Sequence, residues 1–225
     1  MCGRYALHGP FNRRDPAWVA QWMEQLVSVT GGEARFNIAP SQAVPVFVAV
    51  EGEPVARMMR WGLVPSWARD AKIAWQTINA RAETVAEKPA FRGAWRASQR
   101  CVVPVSGWYE WQAQADGKQP FFIGAADEAN PLGLAGLWDR WRAPDGTTLE
   151  SCTILTVPAA DAIAHLHDRQ PLALDPADWP VWLAQRPATV AELLRTPAMA
   201  WRSWAVSRAV NNARHEGPDL LRPVA

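Results

Sequence analysis

Cys2 stands directly after the initiator methionine, in the run Met1-Cys2-Gly3-Arg4-Tyr5. A side chain as small as that of cysteine at position 2 lets a methionine aminopeptidase remove Met1, which would leave Cys2 as the N-terminus. An α-amine of pKa about 7.7 to 8.0 would then sit beside a thiol of pKa about 8.5, each partly deprotonated at neutral pH. Such a pair suits aldehydes. The amine condenses to a Schiff base and the thiol closes onto the imine carbon as a five-membered thiazolidine, a product that an internal cysteine cannot make. A cysteine near a terminus is otherwise most often inert, so position alone does not assign it a function.

Three further residues could serve chemistry. Glu110 lies in G-W-Y-E-W between bulky aromatics. As an ordinary alternating strand residue it would face water; facing a pocket, it would be desolvated, its pKa would rise, and it would become a usable general acid or base. His167, in H-L-H-D-R-Q-P, follows an apolar stretch, and a loop histidine is more often a surface or capping group than a catalytic one. Asn79, in T-I-N-A-R, could cap a helix as well as position a reacting group.

The elements that must position these residues follow from the patterning. At 225 residues and 49% hydrophobic, the chain can bury a substantial core as one domain over residues 1–225. Asp15-Pro16 reads as a helix start, with Trp18, Val19, Trp22, Met23 and Leu26 at helical spacing and Gly31-Gly32 as the stop. Val44 to Val50 reads as a strand that Pro45 places at a sheet edge, turning at Glu51-Gly52 into a second strand ending near Trp61. From there to Trp95 the chain looks irregular to helical. From Cys101 on, five apolar runs separated by the turns A-D-G-K, D-E-A-N-P and A-P-D-G predict antiparallel strands. Helices opening at Asp175-Pro176 and over Thr189 to Arg195, then a strand near Trp204 to Ser207, complete the chain. The expected fold class is α+β: a single domain built on antiparallel β-sheets, with a barrel-like core and flanking helices.

Charge and cysteine usage narrow the function. The net charge of +1 hides a segment between positions 57 and 100 that carries nine basic residues against three acidic ones. A basic segment can track phosphates or simply be a solvated face. With 14 tryptophans in the chain, a few exposed beside those arginines would be stacking platforms for unpaired bases. Cys2, Cys101 and Cys152 form no C-x-x-C pair, which argues against a disulfide framework and a structural zinc site; no metal or other cofactor is expected. No apolar run approaches the roughly 18 residues that span a bilayer, and the N-terminal residues lack the basic-then-apolar order of a signal peptide, so a cytoplasmic, monomeric protein without membrane contact is expected.

In order along the chain, M-C-G-R-Y, R-F-N-I-A-P, M-R-W-G-L-V-P-S-W, I-N-A-R-A-E-T, K-P-A-F-R, C-V-V-P-V-S-G-W-Y-E-W, Q-P-F-F-I, T-V-P-A, H-D-R-Q-P and V-S-R-A-V-N-N resemble the SRAP family, the SOS-response-associated peptidase or abasic-site-processing proteins. The resemblance implies a protein that senses abasic sites in single-stranded DNA and crosslinks to them, associating with the nucleoid when DNA-bound. On the matching positions it implies Cys2 as nucleophile, Asn79 as its positioner, Glu110 as the proton-transfer residue and His167 as a second acid/base group. It further implies that Arg4, Asn37, Trp67, Arg81, Thr156 and Arg169 line a DNA channel, with Pro40 and Trp67 wedging or stacking against bases. The family name carries the competing reading, an N-terminal-nucleophile cysteine peptidase or amidase, and a plain single-strand binding module is a third. The arginine and tryptophan content between Arg57 and Arg100 favours DNA, because a peptidase does not require it.

Overall fold

Residues Thr148–Pro158, T-L-E-S-C-T-I-L-T-V-P, are buried from Ser151 to Val157, and a strand apolar on both faces belongs at the centre of a sheet system. The computed structural model, which describes residues 2–9, 17–126, 132–184, 190–195, 197 and 199–224, places it there. The strands are β1 (Tyr5–Leu7), β2 (Arg35–Ile38), β3 (Ala43–Val50), β4 (Glu53–Trp61), β5 (Asn79–Arg81), β6 (Arg100–Val105), β7 (Gly107–Gln114), β8 (Gly117–Ala125), β9 (Leu132–Arg142), β10 (Thr148–Pro158), β11 (Arg169–Pro171), β12 (Ala173–Leu174) and β13 (Trp201–Ala205). The helices are α1 (Ala17–Thr30), α2 (Arg92–Arg96), α3 (Asp161–Ala164) and α4 (Trp179–Ala184).

One sheet closes on itself. Its order runs β10-β4-β3-β6-β9, and β9 pairs back onto β10 from Thr148↔Arg142 to Ile154↔Gly136, giving a five-stranded barrel-like ring. Closure leaves these strands few unpaired edges. β11, β12 and β5 hang from this ring. The second sheet, β13-β8-β7-β1-β2, is antiparallel throughout. The α+β class with antiparallel sheets and a barrel-like core is thus observed, with two parallel pairings added: β10 with β4, and β10 with β5.

Several local expectations change. Pro45 does not lie on an edge strand, because β3 is flanked by β4 and β6; its missing N–H is tolerated because the β6 pairing is confined to Phe47 and Val48. Glu51 and Gly52, both with positive φ, make the expected β3–β4 turn. Within T-I-N-A-R, Asn79–Arg81 form a strand, held parallel to β10 by Asn79↔Ile154 and Arg81↔Thr156. The helix expected over Thr189 to Arg195 is one 3-10 turn, Ala191–Leu193, and the last strand starts earlier, at Trp201. The expected helix start at Asp15-Pro16, and the turn D-E-A-N-P, fall on residues outside the described ones.

Helix α1 reaches its stop at Gly31 and Gly32, which both take the left-handed conformation at φ +70° and +74°. Its apolar stripe packs on the ring: Trp22 meets Phe47 at 5.0 Å and Trp179 at 5.6 Å between ring centroids. The side-chain amide of Gln25 ties the helix to β4, donating to the Pro54 carbonyl and accepting from the Ala56 N–H. Among the described residues no helix is long and apolar enough to cross a membrane.

Trp179 lies so close to β9 that a Cβ at Gly133 would stand 2.4 Å from its ring, whose N–H donates to the Leu174 carbonyl. Gly133→Ala is therefore expected to overpack the core and lower stability by about 1–3 kcal/mol, read as a lower urea midpoint at unchanged slope.

Candidate active site

The short strand β1 carries the N-terminal residues between β2 and β7. Tyr5 stands opposite Ile38 on one side and Trp108 on the other, and the Tyr109 N–H donates to the Arg4 carbonyl at 2.9 Å. Because β1 and β7 run antiparallel, Cys2, three residues before Tyr5, is carried along β7 away from Gly107 and towards Glu110. Asn79 arrives from the other sheet, on β5. Its Nδ2 donates to the Cys2 carbonyl at 2.7 Å, and its Oδ1 is buried with no hydrogen-bond partner among the described residues.

Glu110 completes the cluster, and alternation along β7 decides which way it faces. Trp108 belongs to the main core and Tyr109 to a separate small cluster with Phe122 and Val210, so Glu110 shares the interior face of Trp108. It is only 3% exposed. Burial, reinforced by the nearby negative charge of Asp168, raises its carboxyl to about 7. The Cys2 thiol is also fully buried; burial pushes its pKa up, and the Glu110 carboxylate pushes the same way. Cys2, Asn79 and Glu110 are thus one site, and Asp168 couples it to the loop that bears His167.

His167 lies half-buried between α3 and β11. Its Nδ1 is 2.9 Å from the Arg169 N–H and 2.8 Å from an Asp168 carboxylate oxygen. These contacts demand opposite protonation states of Nδ1. Burial lowers the imidazole pKa, so the neutral ring, with Nδ1 accepting from Arg169 and Nε2 carrying the proton, is the state at neutral pH.

The residues expected to line a DNA channel divide in two. Trp67 and Arg81 are exposed, and Pro40 is partly so. The other four are engaged inside the protein. Asn37 is fully buried; its Nδ2 donates to the Asn212 and His215 carbonyls at 2.9 and 2.8 Å, and its Oδ1 accepts from Arg4 at 2.6 Å. Arg4 also donates to the Val210 carbonyl at 2.7 Å and lies over the Trp111 ring at 5.9 Å. Thr156 is fully buried on β10, and its carbonyl accepts from Arg169 at 2.6 Å. Arg169 grips Glu83 with both terminal nitrogens, at 2.5 and 2.8 Å, and holds that carboxylate below its ordinary range. For Asn37, Thr156 and Arg169 the geometry corresponds to support beneath a surface rather than to the surface itself.

Two residues escape sequence reasoning. Glu83, which anchors Arg169, lies inside I-N-A-R-A-E-T, but nothing local identifies its partner 86 residues away. Asp139 in L-W-D-R-W is nearly buried, and its Oδ2 accepts the Ser66 N–H at 2.8 Å, fixing the residue that precedes Trp67. An acidic residue in a strand of apolar neighbours was the available signal.

The model of the family described as SOS response associated peptidase (SRAP) matches residues 1–213. The abasic site processing protein YoqW of Bacillus subtilis is 33% identical over 227 residues, covering 98% of this chain and 99% of its own. The abasic site processing protein HMCES of Gallus gallus is 34% identical over 247 residues, covering 94% of this chain and 70% of its own. A crystal structure of a protein from Bacteroides thetaiotaomicron superposes with a TM-score of 0.79 at 22% identity over the whole of both chains, a likeness of fold. A family match over nearly the whole length, joined to full-length relatives at this identity, makes the chain a member of the SOS response associated peptidase (SRAP) family.

Proposed function

We propose that this protein processes abasic sites in single-stranded DNA, and that Cys2, freed by removal of Met1, forms a covalent thiazolidine crosslink that shields the lesion. The observation that carries the reading is the meeting of Cys2, held through its carbonyl by Asn79 at 2.7 Å, with a buried carboxyl whose pKa is raised to about 7. A group poised near neutrality can both give and take a proton, and this reaction needs both.

The steps balance as follows. The closed sugar opens to an aldehyde as protonated Glu110 donates to the ring oxygen and its other carboxyl oxygen takes the anomeric hydroxyl proton, while the neutral His167 Nε2–H hydrogen-bonds the ring oxygen. The Cys2 amine adds to the aldehyde carbon, and the carbinolamine loses water as protonated Glu110 donates to the departing oxygen. The Cys2 sulfur then bonds to the carbon of the resulting iminium; its proton passes to the Glu110 carboxylate, and the nitrogen, which keeps the amine's remaining hydrogen, becomes a secondary amine. One water leaves, one C–S bond and one C–N bond form, and Glu110 ends as it began. A raised thiol pKa favours this reading over peptide hydrolysis, which relies on a standing thiolate to attack an unactivated amide. Closure onto an imine can instead proceed from the thiol as Glu110 takes its proton. Exposed Arg81 and Trp67 suit phosphate neutralisation and base stacking, a sequence-tolerant mode.

Incubation with abasic single-stranded DNA followed by denaturing electrophoresis tests the proposal. Wild-type protein lacking Met1 is expected to give a band that survives heat and detergent. Cys2→Ala is expected to lose that band while still giving an adduct trappable by borohydride, because the α-amine remains. An alanine variant that crosslinks as stably as wild type removes the thiazolidine assignment.

Glu110→Gln separates catalysis from folding. Single-turnover crosslinking is expected to slow about 10²- to 10⁴-fold at saturating protein. The folded-state pKa of Glu110 lies above its unfolded value, so the native state holds the proton longer; stability present at low pH is lost as pH rises from about 4.5 through 7. The ionised carboxyl then costs about 3 kcal/mol at pH 8, so Glu110→Gln is expected to be more stable than wild type at pH 8 and similar to it at pH 4. A wild-type rate for this variant would make Glu110 a structural residue.

A further inference from the structure

The loop between β4 and β5 is fastened along its length to the barrel. The Gly62 N–H donates to the Cys152 carbonyl at 2.9 Å, the Val64 N–H to Ser151 Oγ at 2.7 Å and the Ser66 N–H to Asp139 Oδ2 at 2.8 Å. The Trp141 indole N–H donates to the Ala68 carbonyl at 2.7 Å, and Thr77 Oγ1 donates to the Leu63 carbonyl at 2.6 Å. A 3-10 turn over Ala71–Gln76 follows, its first N–H groups met by Asp70, which accepts from the Lys72 N–H at 2.8 Å. Gly62, at φ +112°, lets this turn approach so closely that a Cβ there would stand 2.7 Å from the Ala74 carbonyl oxygen.

On this rigid loop two tryptophans are left in water. Trp67 is 59% exposed and Trp75 64% exposed, and they are the only exposed tryptophans among the described residues. Packing accounts for neither. Trp67 is at least oriented, its indole N–H donating to the Pro89 carbonyl at 3.2 Å. Between them stand Arg69 and Lys72, both exposed, and the one carboxylate in the stretch, Asp70, is turned to capping. Trp75 is four residues before Asn79, which places their Cα atoms within about 14 Å of each other, and Asn79 holds Cys2.

We infer that Trp75, with Arg69 and Lys72, is a second base-stacking platform that binds the unpaired strand flanking the lesion. The inference rests on the DNA reading above. Cationic side chains interleaved with an exposed indole are the two components of sequence-independent single-strand binding, and a loop whose backbone is already ordered loses little freedom when a base stacks on it.

The test measures fluorescence anisotropy of a labelled oligothymidine without an abasic site, at fixed salt, for wild type, Trp75→Ala and Trp75→Phe, alongside crosslinking rates on abasic DNA at saturating protein. Trp75→Ala is expected to raise Kd about 5- to 150-fold, Trp75→Phe to retain most of the affinity, and the saturated crosslinking rate to stay at the wild-type value. Lys72→Gln is expected to reduce the salt dependence of binding. If wild type binds and Trp75→Ala binds equally well, this inference falls while the functional reading stands. If wild type does not bind single-stranded DNA at all, both fall. Normal DNA binding by Trp75→Ala with loss of self-association in sedimentation velocity overturns the platform in favour of a protein-docking role.

Discussion

The hydrogen bond from Asn79 to the Cys2 carbonyl joins the two sheets at the point where chemistry is proposed. Cys2 belongs to the segment that β1 threads into the second sheet, whereas Asn79 hangs on β10 of the closed ring. Neither sheet holds the site alone. A buried donor deprived of its acceptor costs about 1–3 kcal/mol, so the bond fixes the backbone of Cys2 against the ring and sets the distance over which Glu110, from β7, can act. The parallel pairing of β5 with β10 is what puts Asn79 within reach.

Burial supplies the electrostatics. Glu110 and the Cys2 thiol are both pushed toward their protonated forms by the loss of water, so the site holds protons rather than charges in its resting state. At the periphery the reverse holds: Arg169 keeps Glu83 ionised, and Arg4 donates to the uncharged oxygens of Asn37 and Val210.

What the sequence made legible was set by local physics. The α1 stripe, the Glu51-Gly52 turn and the β6 to β10 runs are decided within a few residues of themselves, and they stand as read. The family motifs likewise brought out Cys2, Asn79 and Glu110, which the fold brings together. T-I-N-A-R could not be recognised as a strand because its partner, Ile154 to Thr156, is 75 residues away and pairs in parallel. Pro45 misled because the register of β6, not β3, leaves its position unpaired. The family resemblance placed Asn37 and Thr156 along a DNA channel without indicating their depth, and in the fold the C-terminal carbonyls and Arg169 engage them inside. The direction of Glu110 depended on which of two cores each face of β7 meets, a property of the assembled sheets.

The depth of Cys2 has a consequence for the order of events at the ribosome. In the finished fold Cys2 is wholly enclosed, and the strand that follows it is clamped by β7, whose Trp108 lies 103 residues beyond Tyr5. At about 5–20 residues per second, that partner emerges about 5–20 s after the first strand does. Until then the N-terminal segment has no second sheet to enter and remains open to trimming. The same interval withholds Glu110, so under the function proposed above the aminothiol would be exposed before its proton shuttle arrives and would become reactive only when the chain closes over it.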